Sequence, residues 1–216
     1  MQKIKGALFD LDGVIVDTAK YHFMAWKRLA ESLGFAFTEK DNEALKGVSR
    51  KRSLEILLEV GSRSKGELSF SGNQKEEMAT MKNTWYVEYL NLLDERAFLP
   101  GAKDYLLFLR ERKTAIALGS ASKNARMILR KLNVEHLFDA IIDGTCVENA
   151  KPDPEVFLKG AQALSLRPDE CMVFEDSFAG IQAAKNGGMY AVGVGSPDDL
   201  PGADLYITSL KDMLVI

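Results

Sequence analysis

An α/β fold, a doubly wound parallel sheet with an inserted all-helical cap domain, is predicted by three observations. From about residue 98 onward, short apolar runs alternate with amphipathic helical stretches, the pattern of successive βα units. The apolar run Ile4-Lys5-Gly6-Ala7-Leu8-Phe9 at the amino terminus reads as one more buried strand. Between the two, residues 19 to about 93 carry helical periodicity and no strand pattern. A sheet whose first strand is separated from the others by a helical block has that block inserted into it. The predicted core is therefore 1–16 with 95–216, and the predicted cap is 17–94.

Each element follows from its spacing. Phe23, Trp26, Leu29, Ala30 and Leu33 recur at three- and four-residue intervals, with Gly34 as a stop and Asp17 or Thr18 as a suitable N-cap. Leu54, Leu57 and Leu58 mark a second cap helix ending near Gly61. Met78, Met81, Trp85, Tyr89 and Leu92 mark a third, and the Gly- and Ser-rich stretch 61–73 reads as a surface loop. Trp26 and Trp85 are expected in the cap's own core. In the second half, helices around Leu106, Ile128, Phe157 and 178–186 alternate with strands 114–118, 140–142, 171–174, 190–194 and, more weakly, 203–207. No repeat or low-complexity tract is seen.

The bulk properties exclude several functions. The 216-residue chain is 46% hydrophobic with a net charge of -3, so it offers no electrostatic footprint for nucleic acid or an anionic membrane. Two cysteines far apart fit a reducing compartment, and two histidines make a zinc site improbable. No stretch approaches the length of a membrane span. The expectation is a cytoplasmic monomer acting on a small molecule.

Chemistry concentrates where strands end. Asp10 and Asp12 follow the first strand two positions apart, so they point to one side of the chain, and ligands of open parallel sheets bind outside such carboxyl ends. Gly119-Ser120-Ala121-Ser122-Lys123-Asn124 follows another strand and opens a helix, a ready phosphate site; a lone capping Ser would look the same. Lys151 lies in Asn149-Ala150-Lys151-Pro152-Asp153-Pro154. Glu175-Asp176-Ser177 closes a third apolar strand, where Asp176 or Ser177 would cap the next helix or the acids would complete an oxygen cage for a divalent cation.

The order of these elements, D-x-D then Ser then Lys then E-D, each after a strand, resembles the four motifs of the haloacid dehalogenase superfamily. The resemblance implies Asp10 as a nucleophile that accepts a phosphoryl group and Asp12 as general acid and base. It implies Ser120 and Lys151 as holders of the phosphoryl oxygens, and Mg²⁺ held by Asp10, Asp176 and Asp12 (through its carbonyl) with support from Glu175. Tyr21-His22-Phe23-Met24-Ala25-Trp26 and Leu45-Lys46-Gly47-Val48-Ser49-Arg50-Lys51-Arg52-Ser53 further resemble the β-phosphoglucomutase branch, whose members pass through β-glucose 1,6-bisphosphate as activator and intermediate. In that branch Thr18, His22, Lys46, Gly47, Ser53 and Lys82 would place the sugar and organise closure. Arg50 with Ser122, Lys123 and Asn124 would hold a second phosphate, and Ala121 would line the substrate site. A sugar-phosphate phosphatase with the same Asp10 chemistry is the alternative, and a binding protein without turnover is a third reading. The chain departs from the branch's pattern at Gly119, Ala125 and 144–150, without loss of a functional group.

Overall fold

A computed structural model describes residues 4–45 and 48–215 of the chain. It divides into two compact units, Met1–Asp17 with Asp94–Ile216, and Thr18–Leu93. Among the described residues no helix is long and apolar enough to cross a membrane.

The first unit is a six-stranded, all-parallel sheet. Its strands are β1 (Gly6–Phe9), β2 (Ala115–Gly119), β3 (Ala140–Ile142), β4 (Cys171–Glu175), β5 (Tyr190–Val194) and β6 (Leu205–Ile207), in the order β3-β2-β1-β4-β5-β6. From β1 the chain winds outward through β2 to β3, then returns to the other side of β1 at β4. That reversal makes the carboxyl ends of β1 and β4 the switch point at which such sheets bind ligands. Register fixes two rows of side chains. Leu8 pairs with Ala117 and Val173, and Val173 with Ala191. These four pack with Phe157, Ala161, Ile181 and Ala184 from the helices α7 (Glu155–Ala163) and α8 (Phe178–Asn186). Their neighbours Phe9 and Phe174 point to the opposite face. There they stack on each other with centroids 4.7 Å apart and meet the edge of Tyr105 from helix α5 (Ala102–Glu111). Both faces are therefore covered, and all four residues of β1 are buried.

Within the first unit, the stretches 15–17 and 97–99 run side by side. Val16 bridges Phe98 in antiparallel fashion, Asp17 N–H donates to the Ala97 carbonyl at 2.9 Å, and Leu99 N–H donates to that of Ile15 at 3.0 Å.

The second unit is wholly helical: α1 (Ala19–Ser32), α2 (Glu39–Glu43), α3 (Arg50–Lys65) and α4 (Gly72–Leu90). Several details differ from expectation. The short α2 was not predicted, although Thr38 and Asp41 form a capping box that marks its start. Thr18 occupies the N-cap position of α1, but its side chain makes no capping hydrogen bond there. Helix α3 does not stop at Gly61 but runs to Lys65, which shortens the predicted loop 61–73 to about 66–71. Gly61 is buried inside the helix because a Cβ there would come 2.5 Å from Phe35 Cε1 and 2.7 Å from Leu68 Cδ1; it is a close-approach residue, not a terminator. Ser71 and Gln74 then box the start of α4. On α4 the buried positions are Lys82, Tyr86 and Leu90, one step from the predicted stripe, and Met81 and Leu92 are exposed. Trp26 is buried as expected, while Trp85 is only half-buried beneath the Arg28 guanidinium at 4.3 Å.

Gly61→Ala tests the packing reading. Helix propensity alone favours alanine by about 1 kcal/mol, whereas overpacking a core costs about 1–3 kcal/mol. Urea denaturation is expected to show net destabilisation of about 1 kcal/mol; a more stable variant would show that Phe35 has room to retreat.

Candidate active site

Register brings four strand ends to one line. Phe9 lies level with Leu118 and Phe174, and Gly119 with Ile142, so the next residues out are Asp10, Ser120, Asp143 and the Glu175-Asp176 pair. Asp10 N–H continues the ladder to the Phe174 carbonyl at 3.0 Å. Beyond it the chain turns sharply, with the N–H groups of Ile15 and Val16 both bonded to the Leu11 carbonyl. Gly13 has a positive φ of 82°, and a Cβ there would run into the Asp176 carboxylate. The Asp-Gly turn thus serves the close approach of Asp176 as well as the chain reversal.

Lys151 supplies the central interaction. Its ammonium, 5% exposed as a residue, donates to Asp10 Oδ1 at 2.6 Å and to Glu175 Oε1, and lies 4.8 Å above the Phe157 ring. Glu175 is used on both oxygens, because its Oε2 accepts from the Ser177 N–H at 3.0 Å and the Ser177 hydroxyl at 2.8 Å. The same hydroxyl accepts from Gly180 N–H at 3.1 Å, where a Cβ would strike the Glu175 carboxylate. Ser120, 1% exposed, accepts from the Ser122 N–H at 3.1 Å, and Ser122 Oγ accepts from the Asn124 N–H at 3.3 Å. Helix α6 (Ala125–Lys131) begins directly after this turn.

Carboxylate crowding shapes the electrostatics. Burial pushes the Asp10 carboxyl up to about 6, with Lys151 opposing and Glu175 adding to the rise. Burial also raises Asp176 well above the usual carboxylate range, assisted by Glu175 and Asp10. For Lys151, burial works against the charged form, but the charges of Asp10 and Glu175 outweigh it and the net shift is upward. Among the described residues no three acidic, thiol or imidazole groups converge into a finished metal cage. The mutual repulsion of Asp10 and Asp176 nonetheless fits a hard divalent cation that takes one or two carboxylates and fills its remaining positions with carbonyl, water or phosphate oxygens. Glu175 has both of its oxygens engaged by Lys151 and Ser177.

In the helical unit a second buried lysine is found. Lys82, 2% exposed, places its ammonium 4.6 Å from the Trp26 ring and 4.7 Å from the Tyr86 ring, and 2.8 Å from Nδ1 of His22. An ammonium has only protons to offer, so Nδ1 accepts and the neutral imidazole carries its proton on Nε2. Burial, then the charges of Lys82 and Arg50, hold His22 well below its ordinary pKa. Arg50 is half-buried at the first position of α3, beside Ser49, whose hydroxyl accepts from Arg52 N–H at 3.3 Å.

The profile of the haloacid dehalogenase-like hydrolases matches residues 4–188. The chain belongs to that family. Within it, the chain is 42% identical over 210 residues to the β-phosphoglucomutase of Bacillus subtilis (strain 168), covering 97% of this chain and 92% of that one. It is 32% identical over 188 residues to the phosphorylated carbohydrates phosphatase of Thermotoga maritima, covering 86% and 82%. The crystal structure of β-phosphoglucomutase from Clostridium difficile superposes with a TM-score of 0.91 at 41% identity, over 97% of this chain and 93% of that one.

Of the residues expected from the sequence, Lys151 is in direct contact with Asp10 and Glu175, and Ser120 and Asp176 lie at the neighbouring strand ends. Asp12 is half-buried one residue before Gly13, and Ala121, Ser122 and the buried Asn124 line the turn after β2, with Lys123 exposed. In the helical unit His22 and Lys82 meet, Thr18 and Ser53 are buried, and Lys51 and Arg52 are exposed, the latter paired with Glu59 at 3.0 Å. Lys46 and Gly47 lie outside the described residues. Sequence reasoning treated Ser177 only as a helix cap, and it passed over Asp143 and Phe157. Asp143 carried the same signal as Asp10, an acid directly after an apolar strand, and is buried at 5% exposure. It accepts from the Thr145 N–H at 2.9 Å.

Two predictions follow from these charges. An acid whose folded pKa is raised favours the fold below its unfolded value near 4 and loses that contribution as pH climbs through about 6. Metal-free wild type is therefore expected to lose stability between pH 4 and 7 relative to Asp10→Asn, on the order of 2–3 kcal/mol by urea titration; parallel pH profiles would contradict it. In the helical unit, Lys82→Met removes a nearby positive charge, so the His22 titration seen by imidazole NMR should move upward. A downward or absent shift would mean that Lys82 does not act on the ring.

Proposed function

We propose that the chain catalyses the β-phosphoglucomutase reaction, interconverting β-D-glucose 1-phosphate and D-glucose 6-phosphate through an aspartyl phosphate on Asp10 and β-glucose 1,6-bisphosphate. The observation that carries this reading is the buried Lys151 held between Asp10 and Glu175 in a chain that matches a β-phosphoglucomutase at 42% identity over nearly its whole length. The core geometry by itself suits any phosphoryl transfer through an aspartate. The full-length likeness, helical unit included, favours the mutase over the phosphatase.

In this reading the phosphorylated Asp10 gives its phosphoryl group to the 6-hydroxyl of β-glucose 1-phosphate while Asp12 removes the hydroxyl proton. The bisphosphate then presents its other end, and the freed Asp10 carboxylate attacks the 1-phosphate as Asp12 returns the proton to the departing sugar oxygen. The two half-reactions regenerate the phosphorylated enzyme. Lys151 and Ser120 hold the phosphoryl oxygens, and Lys151 also keeps Asp10 ionised and aimed. Asp10, Asp176 and the Asp12 carbonyl would hold Mg²⁺, with Glu175 behind them. When bound, the ion offsets the repulsion between an anionic nucleophile and an anionic ester. Arg50, with Ser122, Lys123 and Asn124, takes the phosphate that is not being transferred. His22, Lys82 and Thr18 position the sugar.

The test is a product analysis with β-glucose 1-phosphate, Mg²⁺ and a trace of the bisphosphate. Glucose 6-phosphate is expected; free glucose and inorganic phosphate as the main products would establish the phosphatase instead. Arg50→Ala is expected to cut mutase turnover by about 10- to 100-fold, the loss of a charge-assisted phosphate contact, with hydrolysis of the aspartyl phosphate relatively spared. Unchanged mutase turnover would remove Arg50 from the second phosphate site.

A further inference from the structure

The position of Lys151 depends on a segment without regular structure, residues 143–154 between β3 and α7. A long side chain at the end of such a segment holds an ammonium in place only as well as the backbone beneath it is held. Near its start Gly144 N–H donates to the Ser122 carbonyl at 3.3 Å and Asp143 accepts from the Thr145 N–H, and near its end Asn186 Nδ2 donates to the Pro152 carbonyl at 3.1 Å; the stretch just before Lys151 is tied by one carboxylate. Glu155, the first residue of α7, accepts from the N–H of Glu148 at 3.2 Å, from the N–H of Asn149 at 2.8 Å and from Asn149 Nδ2 at 3.1 Å. Lys159, one turn along the helix, donates to Glu155 Oε1 at 2.6 Å and to the Cys146 carbonyl at 2.7 Å. The side chain of Glu155 is 17% exposed. Its own N–H donates to Asp153 Oδ1 at 2.9 Å, which joins the far end of the same segment to the same helical turn.

That turn also carries the floor beneath the ammonium. Phe157, two residues after Glu155, lies under Lys151, and a Cβ on Gly119 would come 2.7 Å from its ring. The first turn of α7 therefore sets both the surface on which Lys151 rests and, through Glu155, the track of the chain that delivers it. An N-terminal carboxylate on a helix is common as a dipole partner or a cap. Here it reaches across to the N–H groups of a separate segment, two and three residues before Lys151.

We propose that Glu155 is a positioning residue: by clamping the backbone N–H groups of Glu148 and Asn149 to the start of α7, its carboxylate fixes the Lys151 ammonium between Asp10 and Glu175. The inference rests on the reading of Lys151 as a holder of the transferred phosphoryl group, and it adds a residue outside the reacting atoms to that site. Misplacing a group by about 1 Å costs on the order of 100-fold in rate.

Glu155→Ala, which removes all acceptors, and Glu155→Gln, which keeps one carbonyl for the Asn149 N–H, test it at a temperature where circular dichroism shows both variants fully folded. The expected result is a graded fall in turnover per folded molecule, about 10- to 100-fold for Ala and less for Gln. It should be accompanied by faster amide exchange at Glu148 and Asn149 and a displaced Lys151 side-chain nitrogen resonance. A merely structural role would lower the melting temperature and leave turnover and the Lys151 resonance unmoved. Turnover within twofold of wild type for both variants, or lost turnover with unchanged exchange and an unchanged Lys151 resonance, would overturn the proposal. If the wild type itself turned over no sugar phosphate, the functional reading would fail, while the exchange and resonance measurements would still decide the clamp.

Discussion

One buried ammonium between two carboxylates is the constraint to which the rest of the core answers. Asp10, Asp12, Glu175 and Asp176 bring four acids to adjoining strand ends, and Lys151 is the cation bonded directly to two of them. Removing one partner from a buried pair leaves an uncompensated charge, which costs about 3–5 kcal/mol. Such a cluster is a poor way to stabilise a fold, since apolar residues of the same volume serve at least as well. At the end of the middle strand it has another effect: the ammonium opposes the rise that burial imposes on the Asp10 carboxyl and holds that group in place beyond β1.

Several local features exist to let these groups approach. Gly13 and Gly180 leave room for the carboxylates of Asp176 and Glu175, and Gly119 leaves room for the Phe157 ring that underlies Lys151. Ser177 spends its N–H and its hydroxyl proton on Glu175, while its oxygen still caps α8 through Gly180. The same atoms thus start a helix and orient a buried acid. A substitution that preserved the cap but not the hydroxyl geometry would separate those two duties. The site is assembled from backbone clearances as much as from the groups that touch the ligand.

This division explains what was legible in the sequence. Strand runs, helix spacing and the acids at strand ends depend on neighbours within a few positions, so the parallel sheet and the run of helices between β1 and β2 could be read, and Asp10, Ser120, Glu175 and Asp176 could be named as candidates; Lys151 became one only through the order of the motifs. What failed were features set by distant neighbours. Gly61 looks like a terminator because nothing nearby discloses that Phe35 leans against it. The buried face of α4 runs through Lys82, since two aromatic rings and an imidazole make room for an ammonium that spacing rules assign to solvent. Ser177 looked like a cap, and it is one; its second partner, Glu175, is only two positions away, but spacing does not disclose the bond between them. The short α2 is a different case, because its capping box was present in the local sequence and was passed over.

The electrostatic cost of the site has to be met elsewhere, and β1 is where the fold can meet it. That strand is hydrogen-bonded on both edges and buried along its whole length, with Leu8 in the core formed with α7 and α8 and Phe9 stacked on Phe174 and edge-on to Tyr105 on the other face. Fully burying a large apolar side chain is worth about 1.5–3 kcal/mol. Two such side chains therefore offset a penalty of the size that a raised Asp10 implies, and they do so one and two residues from it. An edge strand, or one covered on a single face, would lack that reserve, and its end would be free to swing and solvate the acid. Asp10 is thus carried by the strand whose own anchoring is strong enough to hold an ionisable group where it is least comfortable.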